Sequence, residues 1–136
     1  MAGSALALLV ACGGGSPGQP PSKAAWIASH GDAVAALRRE LATARSTLSS
    51  LQRPDILGAC SQLRDSLAEA QEGLPVPDPP ADFALRRAFD AVGLGTVDCI
   101  EGARGPDIRR LEKSFSELRE ADTLMEVATR TIDAWT

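Results

Sequence analysis

Apolar side chains recur at intervals of three and four residues in four successive segments of this chain. The interval matches the 3.6-residue period of an α-helix, so each segment would carry its apolar side chains on one face. Proline and glycine, which interrupt helix interiors, separate the segments. The spacing therefore predicts four amphipathic helices. Their apolar faces are formed, in order, by Ile27, His30, Val34, Leu37, Leu41, Ala44, Leu48 and Leu51; Ile56, Cys60, Leu63, Leu67 and Ala70; Leu85, Phe89, Val92, Thr96, Cys99 and Ala103; and Ile108, Leu111, Phe115, Leu118, Ala121, Met125, Ala128, Ile132 and Trp135.

Turn-forming residues set the predicted bounds of these helices. Pro54 suits the first turn of the second helix, and Gly73 would cap its end. Leu74–Pro80 contains four prolines and predicts a stiff, extended loop, so the third helix would begin near Asp82. Pro106 marks the start of the last helix. The predicted helical segments are 24–51, 54–73, 82–103 and 107–135.

Four amphipathic helices joined by short loops favour an all-α fold, an antiparallel up-down four-helix bundle over residues 24–136. Hydrophobic residues make up 44% of the 136 residues, which is enough for one core. No apolar run reaches the roughly 18–20 residues that a membrane-spanning helix needs. The net charge of -4 argues against a nucleic-acid partner, because such proteins neutralise phosphates with basic side chains.

The N-terminal segment has the pattern of an export signal. Ala5–Ala11 is apolar or small, as in the central region of a signal peptide. Leu9–Cys12 reads LVAC and resembles the lipobox of bacterial lipoproteins, whose cysteine thiol receives a diacylglycerol and becomes the mature N-terminus. The resemblance implies that residues 1–11 are removed and that Cys12 is lipidated. It also implies attachment to the extracytoplasmic face of the cell membrane, as in small lipoproteins of high-GC bacteria.

One feature departs from that pattern, because no Lys or Arg precedes Cys12. Signal peptides normally begin with positive charge, so we expect a start truncated relative to a full signal. The alternative is a short apolar N-terminus with a chance cysteine. Residues 12–23 are rich in glycine, proline and serine and predict a tether with an r.m.s. span of about 18 Å.

The other two cysteines, Cys60 and Cys99, predict a disulfide bond, since an even pair in an exported chain is commonly oxidised. They lie on the apolar faces of the second and third helices, at depths that differ by roughly 6 Å in an antiparallel hairpin. The proline-rich loop can absorb that offset, so the two cysteines would face each other. The alternative is two buried free thiols. We expect no metal site, because the chain has one histidine and no CxxC motif.

No arrangement of residues in the sequence indicates catalysis, and we expect neither an enzyme nor a cofactor. His30 is the only histidine and falls on an apolar face, where a structural role is the usual one. An enzyme that uses His30 as a base is the alternative. The carboxylates occur as spaced pairs, Asp98 with Glu101 and Glu117 with Glu120. We expect solvated side chains or partners for arginine.

Trp26 and Trp135 lie at the same end of an up-down bundle, one near the start of the first helix and one near the end of the last. They would either close the core there or, with His30, form a contact surface. The function we expect is a non-catalytic binding or scaffolding role at the cell envelope, toward an unidentified envelope protein or lipid. The alternative is a small apolar ligand in the bundle core, in space left near Gly93 and Gly95.

Overall fold

The computed structural model describes residues 21–50 and 53–135, which form a four-helix bundle. Each helix packs against the next in the chain, and the last returns to the first, which confirms the predicted all-α up-down fold. The predicted signal segment, Cys12 and most of the tether lie outside the described residues. The helices are α1 (Lys23–Ser50), α2 (Arg53–Gln71), α3 (Pro79–Arg104) and α4 (Ile108–Asp133).

The predicted apolar faces meet in a single core, so the helical spacing identified most of the buried residues. Ile108 is an exception, because it is exposed at the first position of α4 while Leu111, one turn later, is buried. Among the described helices, none has an apolar stretch long enough to cross a membrane. The largest fully buried side chains are Trp26, Phe89, Leu37, Leu41, Ile56, Leu63, Leu85, Leu118 and Met125.

The start of α3 lies three residues before the predicted position near Asp82. The side chain of Asp78 caps the helix by accepting a hydrogen bond of 3.1 Å from the backbone N–H of Ala81. Pro79 and Pro80 occupy the first two helical positions, where a missing N–H costs no helical hydrogen bond. The prediction that all of Leu74–Pro80 is loop was therefore wrong at its C-terminal end.

The end of α2 also differs from the prediction. The helix stops at Gln71, two residues before Gly73, and Gly73 is buried. A Cβ atom at Gly73 would lie 3.0 Å from Cγ of His30 on α1. The glycine is needed for this close approach between α1 and the chain leaving α2, so its role is not that of a simple helix cap.

Cys60 on α2 and Cys99 on α3 form the predicted disulfide bond. Their Cα atoms are 6.2 Å apart, and both residues are completely buried. The bond therefore links the two central helices of the chain from inside the core.

The contact between α3 and α4 is the closest in the bundle, and α1 and α4 pack least closely. A Cβ atom at Gly95 would lie 2.5 Å from Cδ2 of Leu118, and one at Gly102 would lie 3.0 Å from Cδ2 of Leu111. The hydroxyl group of Ser114 also donates a hydrogen bond of 2.7 Å to the carbonyl of Gly95. Leu118 thus fills the space beside Gly95, and the glycine serves helix contact.

Candidate functional site

The structure brings Trp26, His30 and Trp135 together at one end of the bundle, here called the tryptophan end. Trp26 lies in the first turn of α1 and is only 1% exposed. Its Nε1–H donates a hydrogen bond of 2.6 Å to the carbonyl of Gly73. The rings of Trp26 and Trp135 meet edge to face with centroids 6.0 Å apart, a favourable arrangement for aromatic pairs. These contacts close the core, as the packing alternative expected.

His30 is half-buried one turn after Trp26, and the centroids of their rings are 5.7 Å apart. Its other close neighbour is Gly73, whose missing side chain makes room for the imidazole. These neighbours position His30 between α1 and the turn after α2. The placement suits the structural role expected for it.

The chain enters the bundle at the tryptophan end, where Lys23 contacts two other segments of the chain. The Lys23 Nζ atom lies 5.1 Å from the centroid of the Trp135 ring, within range of a cation–π interaction. It also lies 3.5 Å from Oδ1 of Asp78, the residue that caps α3. The predicted tether is therefore joined to the bundle where three segments of the chain meet.

A groove follows the loosely packed line between α1 and α4, and we call it the α1–α4 groove. Its section at the tryptophan end has a volume of about 340 Å³. The central section is shallower and contains two arginines. The lining residues at the tryptophan end include Trp26, Ile27, Gly31, Val34, Ala35, Arg38, Thr129 and Ile132; those of the central section are Ala35, Arg38, Arg39, Ala42 and Asp122.

The charged groups of the α1–α4 groove are unevenly distributed. Asp32 and Asp133 lie at the tryptophan end. In the central section, Arg45 Nη1 and Asp122 Oδ2 are 2.8 Å apart and form an ion pair across the two helices. The guanidinium groups of Arg38 and Arg39 are exposed and have no hydrogen bond or ion pair with any described residue. The centre of the groove therefore carries excess positive charge.

A second polar site lies between α3 and α4. Asp98 and Glu101 are partners for Arg110, one of the two expected roles, but Asp98 and Glu117 are largely buried and not solvated. The side chain of Asp98 is 6% exposed and that of Glu117 is 13% exposed. Arg110 Nε lies 3.0 Å from Oδ1 of Asp98, and Lys113 Nζ lies 3.4 Å from Oδ2. Arg110 also pairs with Glu101. Asp98 and Glu117 lie in the α3–α4 contact, where Gly95 and Gly102 leave room for Leu118 and Leu111.

The two carboxyl groups lie close enough for each to shift the pKa of the other. Among the described residues, Asp98 Oδ2 and both Glu117 oxygens accept no hydrogen bond, and Lys113 Nζ is their ion-pair partner at 3.4 Å from Asp98 Oδ2 and 3.8 Å from Glu117 Oε1. Burial raises the pKa of Glu117 to about 7, and the adjacent Asp98 carboxylate adds to the effect. The interaction with Glu117, followed by those with Arg110 and Lys113, lowers the pKa of Asp98 against the effect of burial. Of the two carboxyl groups, Glu117 is therefore the one that binds a proton more readily.

The sequence contains both residues of this pair, but their proximity can be predicted only when the register between α3 and α4 is known. Gly95 opposes Leu118, and Gly102 opposes Leu111. Once those contacts are known, Asp98 and Glu117 lie on facing positions. The spacing of carboxylates along each separate helix does not show this.

Within residues 21–50 and 53–135, no group of three or more His, Cys, Asp or Glu side chains could hold a metal ion. A scan against protein-family models found no match, and searches of curated proteins and of solved structures found no protein similar to this chain.

Proposed function

We propose that this protein is a lipid-anchored, extracytoplasmic helical bundle with a non-catalytic binding or scaffolding role at the cell envelope. The observation that carries the proposal is the buried Cys60–Cys99 disulfide. Such bonds persist in oxidising compartments outside the cytoplasm and are rare within it. The LVAC sequence ending at Cys12 supplies an export and anchoring signal that agrees with that location.

The arrangement of the bundle supports an orientation relative to the membrane. The tether from Cys12 would join α1 at Lys23, beside Trp135 and Asp78. The tryptophan end then faces the bilayer, and the opposite end projects away from it. A tether of about 18 Å would leave the sides of the bundle accessible to envelope partners.

Intact mass spectrometry of native protein from a membrane fraction tests this proposal. We expect a chain that begins at Cys12, carries a diacylglycerol and gains two alkylatable thiols only after reduction. The matched control is Cys12→Ser, which should remain unprocessed while Cys60 and Cys99 stay oxidised. An unprocessed wild-type chain with three free thiols would refute both the anchor and the location.

A second candidate function is binding of a small apolar ligand or lipid, and the α1–α4 groove favours it. The volume of about 340 Å³ at the tryptophan end is in the range of small-molecule sites. The groove lies at the surface between helices, whereas the space beside Gly95 inside the bundle is filled by Leu118.

A further inference from the structure

The α1–α4 groove combines an apolar section with a positively charged one. At the tryptophan end, Trp26, Val34 and Ile132 form apolar walls, and Gly31 and Ala35 leave the surface of α1 open. Trp26 and Arg38 mark the two ends of this section along α1 and are separated by about 18 Å of helix rise. The section therefore has the length and chemistry to hold an alkyl chain.

Arg38 lines both the apolar section and the central section of the groove, and Arg39 lies beside it. Their guanidinium groups have no partner among the described side chains, whereas Arg45 is neutralised by Asp122. A guanidinium group binds a carboxylate through paired N–H donors, so this position suits an anionic head group.

Acidic side chains make the two sections of the groove electrostatically different. Asp32 lies in the section at the tryptophan end, where it would repel a second negative charge. An anionic head group is disfavoured there and attracted toward Arg38. A neutral apolar ligand would gain nothing from this asymmetry.

We propose that the α1–α4 groove binds a long-chain carboxylate, with the alkyl chain along Ile27, Gly31 and Ala35 and the carboxylate at Arg38 and Arg39. This inference rests on the ligand-binding candidate function and is independent of the lipid anchor. The anchor is tested by the mass of the chain, so the two proposals fail separately.

Titration of the purified full chain with laurate, below the concentration at which laurate forms micelles, tests the assignment. Calorimetry gives the affinity, and tryptophan emission reports on the groove because Trp26 lines it. The double variant R38Q/R39Q should bind laurate about threefold to tenfold more weakly, as expected for exposed ion pairs. Lauryl alcohol, which lacks the charge, should bind the double variant and the wild type equally.

Two further variants separate the groove from other surfaces. Ala35→Leu fills the apolar section at an exposed position and should weaken both ligands. Arg109→Gln removes an exposed arginine that does not line the groove and should change neither affinity. Circular dichroism would verify that each variant is folded.

Failure of laurate and lauryl alcohol to bind would overturn both the site and the candidate function. Equal laurate affinity in R38Q/R39Q and wild type would overturn the carboxylate assignment while leaving a neutral apolar site. Unchanged binding in Ala35→Leu would place the ligand outside the α1–α4 groove and would also refute the proposal.

Discussion

Glu117 on α4 lies beside the carboxyl group of Asp98 on α3, and both side chains are largely buried. With the pKa of Glu117 raised to about 7 in the folded state, this pair contributes stability that depends on pH. The Glu117 contribution is fully present below about pH 4.5, where the residue is also protonated in the unfolded chain. It is lost as the pH rises through about 7.

We therefore expect Glu117→Gln to flatten this part of the pH profile. The amide resembles the protonated carboxyl group and can still donate to Asp98, but it cannot ionise. Between pH 5 and pH 8, the wild type should lose at most about 3 kcal/mol of unfolding free energy relative to the variant. Urea unfolding across this range measures the difference.

The matched control is Glu120→Gln, which changes an exposed carboxylate one turn along the same helix. It should unfold with the same pH dependence as the wild type. Parallel profiles for Glu117→Gln and the wild type would show that the pKa of Glu117 is not raised in the folded protein.

Adding a methyl group at Gly95 should destabilise the bundle. The new Cβ atom would lie 2.5 Å from Cδ2 and 2.8 Å from Cγ of Leu118, whose side chain is completely buried. Overpacking outweighs the gain in helix propensity, so we expect Gly95→Ala to lower the unfolding free energy by about 1–2 kcal/mol.

Gly58→Ala is the control, since no atom lies within 4 Å of its Cβ position. It should stabilise α2 by about 0.5–1 kcal/mol. Equal effects of the two substitutions in urea unfolding would contradict the close α3–α4 contact.

Trp26→Phe removes the hydrogen bond from Nε1 to the carbonyl of Gly73 and leaves that buried oxygen without its partner. We expect a loss of about 1–3 kcal/mol in thermal or urea unfolding. Trp135→Phe should cost less, because Trp135 is only half-buried.

The same two variants give separate emission from each tryptophan. With Trp135 replaced, the remaining Trp26 should be nearly protected from acrylamide quenching, while Trp135 alone should be quenched more readily. Strong quenching of Trp26 would contradict its burial at the tryptophan end.

Loss of the Cys60–Cys99 disulfide should lower the free energy of unfolding, because the unfolded chain without the bond has more conformational entropy. The bond closes a loop with a sequence separation of 39 residues, so its removal should cost about 4 kcal/mol in the loop-entropy model. Urea unfolding with and without reductant measures this cost in the wild type. A C60A/C99A double variant should show the reduced stability under both conditions, and any further effect of reductant on it would point to another bond.

The helical spacing of apolar residues predicted the fold because burial in a bundle repeats with the period of the helix. The same argument placed Cys60 and Cys99 on facing surfaces. The start of α3 was harder to predict from the sequence. Asp78 can cap a helix only if the chain turns there, and the two prolines after it fit either a loop or a first helical turn.

The candidate sites depended on details that single-helix patterns do not contain. Asp98 lies at the edge of an apolar face, and its burial follows from how closely α3 approaches α4 at Gly95. Arg38 and Arg39 form one of three arginine pairs in the sequence, and nothing along the chain distinguishes this pair from the others. Their position in a groove follows from the loose contact between the first and last helices, which the periodicity of neither helix specifies.

The hydrogen bond between Trp26 and Gly73 has a mechanical consequence. Any force applied through the residues before Lys23 reaches Trp26 in the first turn of α1, and Gly73 transfers it to the segment between α2 and α3. The disulfide already joins those two helices. A pull on the N-terminus is thus resisted by the contacts of Lys23 with Trp135 and Asp78 and by the bond between the Trp26 indole and the Gly73 carbonyl. While that bond holds, the covalently linked pair of helices shares the load.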